Sequence, residues 1–292
     1  LLPRNGDMTK WSVIACDQFS SERGYWERIK ETVGAAPSTL KLIVPEAYLG
    51  EVDTARSAAD IAAKMGEYLQ AGLLKPYGNS FIYVERTISD GRVRRGLIGC
   101  LDLELYDYTP GAAAPVLASE NTIVSRLPAR VDVRRLAPLE LPHIMALIDD
   151  SKCRVIEPLG KKTDALEKVY DFALMEGGGS IRGWRVTGDD IREVEEGLRC
   201  LGEKSAVQII IGDGNHSLAA AKTYWDEIKS GFGEEERRTH PARFALVELN
   251  NVYDPAISFE AIHRVVFNTE PEALLMKLEK TLPMAAGEGY PL

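Results

Sequence analysis

Residues 212–217 bring together the residue types that proteins use to bind phosphate. The segment reads Gly-Asp-Gly-Asn-His-Ser, follows the apolar run 207–211 and precedes a helix-forming run. This order predicts a strand, a glycine-rich turn and a helix. We expect Gly212 and Gly214 to let the backbone approach a ligand closely, and Ser217 to cap the helix. The N–H groups and dipole of such a helix start favour an anion such as phosphate.

The turn also carries two side chains that can do chemistry. Asp213 is a candidate metal ligand or base, and His216 is a candidate acid or phosphate contact. The segment does not match the Walker pattern, and the dinucleotide pattern G-x-G-x-x-G is broken at its third glycine by Ser217. An ordinary tight turn, in which Asp213 bonds to the backbone, explains the same spacing equally well.

The turn resembles the D-G-[HN]-H motif of a widespread bacterial family in the ParB/sulfiredoxin superfamily, allied to the free-serine kinases. Further blocks of the chain resemble that family over nearly its whole length; they are 11–18, 25–49, 81–108, 119–122, 139–145 and 259–267. The resemblance implies a small mixed sheet with flanking helices, whose Gly-His turn binds phosphate. The chain begins without Met and members of the family continue beyond its last residue, so we expect a segment to be missing at each end.

Three known chemistries of that superfamily can be compared with the residues of the turn. Sulfiredoxins need a cysteine in their G-C-H-R motif, where this chain has Asn215. ParB-like proteins carry basic DNA-binding helices, which the net charge of −9 does not favour. The D-G-H-H-R motif of the serine kinases matches best, since Asp213, Gly214 and His216 are retained. Asn215 and Ser217 replace its first His and its Arg, which removes a guanidinium contact to phosphate.

The resemblance therefore implies a small-molecule phosphotransferase. We expect a kinase of free L-serine or a similar hydroxyl-bearing metabolite, using Mg²⁺ and ATP, ADP or pyrophosphate as the phosphoryl donor. Two alternatives stay open: a nucleotide- or phosphate-binding regulatory protein without catalysis, and a ParB-like DNA-associated protein. A kinase needs an acidic group beside a second small pocket next to the turn, whereas a binder needs one pocket.

Three residues receive catalytic roles on this hypothesis. His216 is expected to contact the transferred phosphoryl group, and Asp213 to lie next to Mg²⁺ or the acceptor hydroxyl. Glu120, in the polar segment 119–122, is expected to take the hydroxyl proton. The alternative for His216 and Glu120 is a solvated loop side chain, and the alternative for Asp213 is an Asx turn that shapes the loop.

Other residues are candidates for binding phosphate or substrate. In the turn they are Gly212, Gly214, Asn215 and Ser217, and elsewhere in the chain they are Asp17, Arg126, His263 and Arg264. Arg264 follows His263 within an apolar run, an unusual place for a charge unless it faces a cavity. Alternation along an edge strand explains Arg264 as well, and surface ion pairs explain Asp17 and Arg126.

The elements around the turn follow from hydrophobic periodicity. We predict a strand over 11–15, a helix after Ser20 and Ser21 that buries one apolar stripe and ends at Gly34, and a helix over 55–69. Asp90-Gly91 between two β-rich runs predicts a hairpin. Helical spacing predicts two further helices, one from Asp164 to the glycines at 177–179 and one around 191–201.

Length and composition limit the classes of protein that the chain can be. Its 292 residues, 45% hydrophobic and 27% charged, are typical of a folded protein of about two domains. We predict a mixed α+β fold with an α/β region at 1–150 and a ParB-like region at 151–292, which can also form one composite domain. Nucleic-acid and membrane partners are not expected, because acidic residues exceed basic ones and no run has about 20 apolar residues. Four separated cysteines favour the cytoplasm, and the oligomeric state stays open.

Overall fold

The computed structural model describes residues 1–15, 19, 21–48, 51–141, 144–258 and 266–281. The chain divides into two compact units, Leu1–Ile257 and Ser258–Leu292. The first unit combines helices with a large mixed sheet, so the predicted α+β class is confirmed. The second unit contains one described helix.

Eleven strands are described. In chain order they are β1 (Leu2–Pro3), β2 (Leu74–Lys75), β3 (Phe81–Thr87), β4 (Val93–Asp102), β5 (Tyr106–Asp107), β6 (Val116–Ala118), β7 (Ile144–Ile148), β8 (Glu167–Ala173), β9 (Ser180–Val186), β10 (Ile209–Asp213) and β11 (Phe244–Asn251). The first two form a small antiparallel pair. The other nine form one sheet in the order β5-β6-β10-β7-β11-β4-β3-β9-β8.

Nine α-helices are described, and several short 3₁₀ turns join them. In chain order the helices are α1 (Met8–Trp11), α2 (Arg23–Val33), α3 (Thr54–Gln70), α4 (Leu127–Leu136), α5 (Glu157–Gly160), α6 (Asp189–Gly202), α7 (Asn215–Ile228), α8 (Glu234–Thr239) and α9 (Pro271–Thr281). The sheet contains strands from both sides of residue 150, so the predicted boundary there passes through one continuous sheet.

One face of the sheet forms the main core. Alternate residues of the central strands point to this face, among them Leu97, Ala146 and Leu249, and all three are buried. Helices α6 and α7 cover it through Val194 and Trp225, respectively. The turn between β10 and α7 is therefore fixed at one end by a strand of the sheet and at the other end by a helix that packs on the sheet.

Most of the predicted elements are confirmed. Helix α2 buries the predicted stripe of Tyr25, Trp26, Ile29 and Val33 and ends at Gly34, whose φ of 53° suits glycine. Its N-cap is Glu22, without a side-chain cap bond, so Ser21 does not cap it as predicted. Helices α3 and α6 lie where periodicity placed them, and β3 and β4 form the hairpin.

The predicted helix from Asp164 is wrong. Residues 167–173 form the edge strand β8, paired antiparallel with β9. A β-bulge between Lys168 and Tyr170 shifts the register. The consecutive apolar residues Val169 and Tyr170 at this bulge interrupt the alternation expected of a strand, and they therefore imitate helical spacing. Below the bulge the ladder is regular, with Phe172 opposite Ile181. The tertiary pairing therefore overrides the local pattern.

The predicted strand over residues 11–15 is also wrong. Trp11 ends the short helix α1, whose N-cap Asp7 accepts from two backbone N–H groups. The extended segment that follows pairs with side chains and not with a strand. The Val13 N–H donates to the Thr39 hydroxyl over 3.3 Å, and the Ile14 carbonyl accepts from the Tyr25 hydroxyl over 2.7 Å.

The second unit is described through helix α9, which carries the exposed apolar residues Leu275, Met276 and Leu278. In the described part of the chain, no helix is both long enough and apolar enough to cross a membrane.

Candidate functional site

The sheet order brings two candidate loops, the one with Glu120 and the one with His216, to the same end of neighbouring strands. Strands β6 and β10 are parallel neighbours, with Ile209 opposite Val116 and Ile211 opposite Ala118. Their carboxyl ends therefore point in one direction, and the chain leaves them as the segment 119–123 and the turn 212–217. Ligands in α/β proteins commonly bind outside the carboxyl ends of parallel strands.

The turn has the predicted strand-turn-helix form. Gly214 is the N-cap of α7, with a φ of 81° and no side-chain cap bond, so Ser217 lies inside the first turn and is not the cap. The Leu218 N–H donates to the Gly214 carbonyl, the first bond of the helix, over 3.0 Å. The N–H groups of residues 215–217 precede that bond and face the helix start, where they can bind an anion.

The two glycines of the turn are required for packing. A Cβ on Gly212 would lie 2.8 Å from Cδ1 of Leu147, and one on Gly214 would lie 3.1 Å from Cα of Ile144. Both neighbours belong to β7, so the glycines permit a close approach of β7 as well as the left-handed conformation of Gly214. Gly212 is exposed, so its backbone can still approach a ligand closely, as predicted for this turn.

We expect Gly214→Ala to lower the free energy of unfolding by about 2–3 kcal/mol, because it adds crowding against Ile144 to the strain of a positive φ. Gly72→Ala is the matched control, since Gly72 has a φ of 64° and nothing within 4 Å of its added Cβ. That control should cost only about 1 kcal/mol. Urea unfolding measures both, and equal losses would show that Ile144 does not limit the turn.

Asn215 ties the two loops together. Its side chain is 3% exposed. Its Oδ1 accepts from the Ser119 N–H over 3.2 Å, and its Nδ2 donates to the Ser119 hydroxyl over 3.1 Å. The side-chain amide is thus engaged by Ser119, and a ligand at the turn would meet Asn215 through its backbone N–H. Its role here is to position the segment that carries Glu120.

We expect Asn215→Leu to lower the free energy of unfolding by about 1–3 kcal/mol, because it leaves two polar groups of Ser119 without their partner. Asn215→Asp retains acceptors for both the N–H and the hydroxyl of Ser119, and should cost less. Urea unfolding compares the two variants. If they lose the same stability, the pair with Ser119 is not what Asn215 contributes.

His216 is held in one orientation by the same segment. Its Nε2 accepts from the Ile123 N–H over 3.2 Å, and its side chain is 16% exposed. An accepting Nε2 carries no proton, so the ring proton lies on Nδ1. Nδ1 faces the Glu120 carboxylate, 3.8 Å from its Oε1. The structure therefore brings His216 and Glu120 together. At 3.8 Å Nδ1 is beyond hydrogen-bond distance of Glu120, so its proton can be donated to a ligand.

Asp213 lies at the carboxyl end of β10 and is exposed. Its Oδ1 accepts from the Gly214 N–H over 2.7 Å, which is the backbone contact of the ordinary-turn alternative. Its Oδ2 extends from an exposed side chain. One such carboxylate suits Mg²⁺, which keeps several waters and binds through one or two carboxylates and substrate phosphates. In the described part of the chain, no group of three or more His, Cys, Asp or Glu side chains could hold a metal by itself.

A cleft of about 420 Å³ opens beside Glu120. It lies between residues 107–112, which are the end of β5 and the loop after it, and the segment 117–121 around the end of β6. Asp107 lines it and accepts from the Thr109 N–H over 2.8 Å. The N–H and hydroxyl of Thr109, with the charge of Lys222, hold the pKa of Asp107 below its usual range.

Sequence reasoning missed Asp107 because the segment 109–115 that follows it is rich in Pro, Gly and Ala, a composition typical of a surface loop. The available signal was an acid, Asp107, three residues before the turn-forming pair Pro110-Gly111, at the end of a short strand. Three predicted residues, Asp17, His263 and Arg264, lie outside the described residues. Arg126 lies in a short 3₁₀ turn, and its side chain is also outside them.

Comparisons with known proteins give one relationship. No curated protein and no solved structure matches this chain. A family model described as a protein of unknown function, DUF1015, matches residues 2–289, which include the turn, the cleft and nearly everything else. The chain therefore belongs to the DUF1015 family.

Proposed function

We propose that the protein is a small-molecule phosphotransferase, a kinase of free L-serine or another hydroxyl-bearing metabolite that uses a phosphoanhydride donor. One observation carries the proposal. The helix start at 214–217 and the acid Glu120 lie on adjacent loops, which are joined by the bonds of Asn215 to Ser119 and of Ile123 to His216. Phosphoryl transfer depends mainly on such positioning and on the neutralisation of charge.

The donor side of this site is the turn. The N–H groups of residues 215–217 and the α7 dipole would bind the terminal phosphates, and Nδ1–H of His216 would donate to a phosphoryl oxygen. Asp213 is the residue that would hold Mg²⁺, which supplies charge neutralisation to the phosphates when bound. The separated cysteines favour a cytoplasmic location for the protein. ATP, ADP and pyrophosphate are all present there, so each is a candidate donor.

The acceptor side is Glu120 with the cleft next to it. In the proposed step the substrate hydroxyl oxygen forms a bond to the terminal phosphorus, and the bond from that phosphorus to the bridging oxygen of the anhydride breaks. The hydroxyl proton passes to Glu120, and the shortened donor leaves with the electron pair. A regulatory binder needs only the turn, so the acid-lined cleft favours transfer over binding alone.

Phosphorus NMR tests the proposal. The protein is incubated with Mg²⁺ and L-serine and, in separate samples, with ATP, ADP and pyrophosphate, beside a His216→Ala variant. The proposal expects a new phosphomonoester signal with at least one donor, and its loss in the variant. If no donor yields the signal with any hydroxyl-bearing acceptor while the protein still binds nucleotide or pyrophosphate, the regulatory alternative replaces the kinase.

A further inference from the structure

The cleft beside Glu120 has a charge pattern that selects among acceptors. Its described lining contains two carboxylates, Asp107 and Glu120, and no Lys, Arg or His side chain. The remaining polar groups are neutral hydroxyls and amides, such as those of Thr109 and Asn121. Carboxylates in a cleft that no cationic side chain lines attract positive charge and repel negative charge.

The two carboxylates differ in what holds them. Asp107 is the last residue of β5 and is fixed by Thr109, so its position is set by the sheet. Glu120 is 60% exposed, and the described contact of its carboxylate is with His216. A fixed acid suits the recognition of a permanent charge, and a more exposed acid near His216 suits proton transfer.

The surroundings of Asp107 keep it ionised. The Thr109 N–H and hydroxyl both stabilise the charged form, and Lys222 of α7 adds a favourable charge although it does not line the cleft. Lys222 itself pairs with Asp226 over 3.1 Å. Asp107 therefore presents a carboxylate to the cleft at neutral pH.

We infer that this cleft binds the ammonium group of a hydroxyl-bearing primary amine, with Asp107 as the recognising carboxylate. The acceptor class is then an amino alcohol or an amino acid with a hydroxyl, and hydroxy acids and neutral polyols are poor ligands. The inference rests on the proposed function for the role of Glu120, and it narrows the acceptor beyond a hydroxyl-bearing metabolite. About 420 Å³ leaves room for a molecule of this size with bound water.

Three probes of nearly the same size separate charge from shape. Ethanolamine, ethylene glycol and glycolate share a hydroxymethyl group and differ in a positive, neutral or negative end. Saturation-transfer NMR titrations of the intact protein, without any phosphoryl donor, give the dissociation constant of each. We expect ethanolamine to bind about tenfold or more tightly than glycolate, with ethylene glycol between them. L-serine is titrated in parallel.

Asp107→Asn tests the assigned residue, because asparagine can still accept from Thr109 but has no charge. We expect it to weaken ethanolamine binding about three- to tenfold and to leave ethylene glycol unchanged. Asp171→Asn is the matched control, because it removes the same charge far from the cleft. Asp171 lies on β8, the outer strand on the opposite side of the sheet from β5. Should Asp107→Asn fail to fold, the order of the three probes on the wild type still decides.

The outcomes distinguish this inference from the proposed function. Glycolate binding as tightly as ethanolamine, or equal effects of Asp107→Asn and Asp171→Asn, would overturn the inference even if the protein proves to be a kinase. An ammonium preference that depends on Asp107 supports it, whether or not phosphorus NMR detects a product. The absence of every phosphomonoester product then counts against the kinase alone.

Discussion

His216→Gln is expected to lower the rate of phosphoryl transfer by about 10²–10³-fold, the usual loss when one donor to a developing charge is removed. Glutamine can place an oxygen where Nε2 accepts from Ile123, so the loop stays attached, but it places no N–H where Nδ1 lies. The measurement is the initial rate of phosphomonoester formation, with the unfolding transition recorded on the same sample.

Two further variants separate the proposed contact of His216 with phosphate from its role in holding the segment 119–123. His216→Asn can place an N–H near the position of Nδ1 but loses the bond to Ile123, so it should retain more activity and less stability than His216→Gln. His216→Ala removes both and should show both losses. If His216→Gln keeps wild-type activity, His216 serves only to hold the segment 119–123, and the donor to phosphate must be sought elsewhere.

Glu120→Gln is expected to lower the transfer rate by about 10²–10⁴-fold, the range for a general base. The amide keeps the shape of the side chain but cannot accept the hydroxyl proton. Because Glu120 is 60% exposed and lies outside the core, the variant should unfold like the wild type. Initial rates with saturating donor and acceptor measure the effect on the chemical step.

The control for this variant is Glu234→Gln, which removes the same charge from an exposed side chain of α8. It should leave the rate unchanged. Glu120→Asp, which keeps a carboxylate on a shorter stem, should recover part of the activity. A rate loss of the same size in Glu120→Gln and Glu234→Gln would mean that net charge, and not proton transfer, is responsible.

The strand-turn-helix unit could be predicted because all its signals are local. Three branched residues at 209–211 precede Gly212 and Gly214, of which Gly214 adopts positive φ, and a helix-forming run follows. The same holds for the hairpin of β3 and β4, whose Asp90-Gly91 turn lies between β-rich runs. Where neighbouring residues decide the structure, the sequence pattern was sufficient.

Features that depend on distant residues could not be predicted. Whether residues 167–173 form a helix or a strand depends on β9, which supplies the partner for β8. The bond from Asn215 to Ser119 joins residues 96 positions apart. The sequence predicts Asn215 as a contact to phosphate or substrate, whereas its bonds to Ser119 give it a positioning role.

The cleft beside Glu120 also depends on distant residues and could not be predicted. Glu120 was identified from its own segment, but the wall opposite it comes from the end of β5 and the loop after it. Asp107, Glu120 and His216 lie together at the carboxyl ends of three strands because the sheet order places β5 beside β6 and β6 beside β10. The nine-stranded sheet is also larger than the small sheet that the family resemblance implied.

The most direct test of this account is to map where a phosphate donor binds. A perdeuterated, ¹⁵N-labelled sample is titrated with imidodiphosphate, a pyrophosphate analogue with a P–N–P bridge, in the presence of Mg²⁺, and amide shifts are followed. We predict that the largest changes fall on residues 214–217, with smaller ones on 119–123. Saturable binding that shifts amides elsewhere and leaves residues 214–217 unchanged would contradict the assignment of the turn as the donor site.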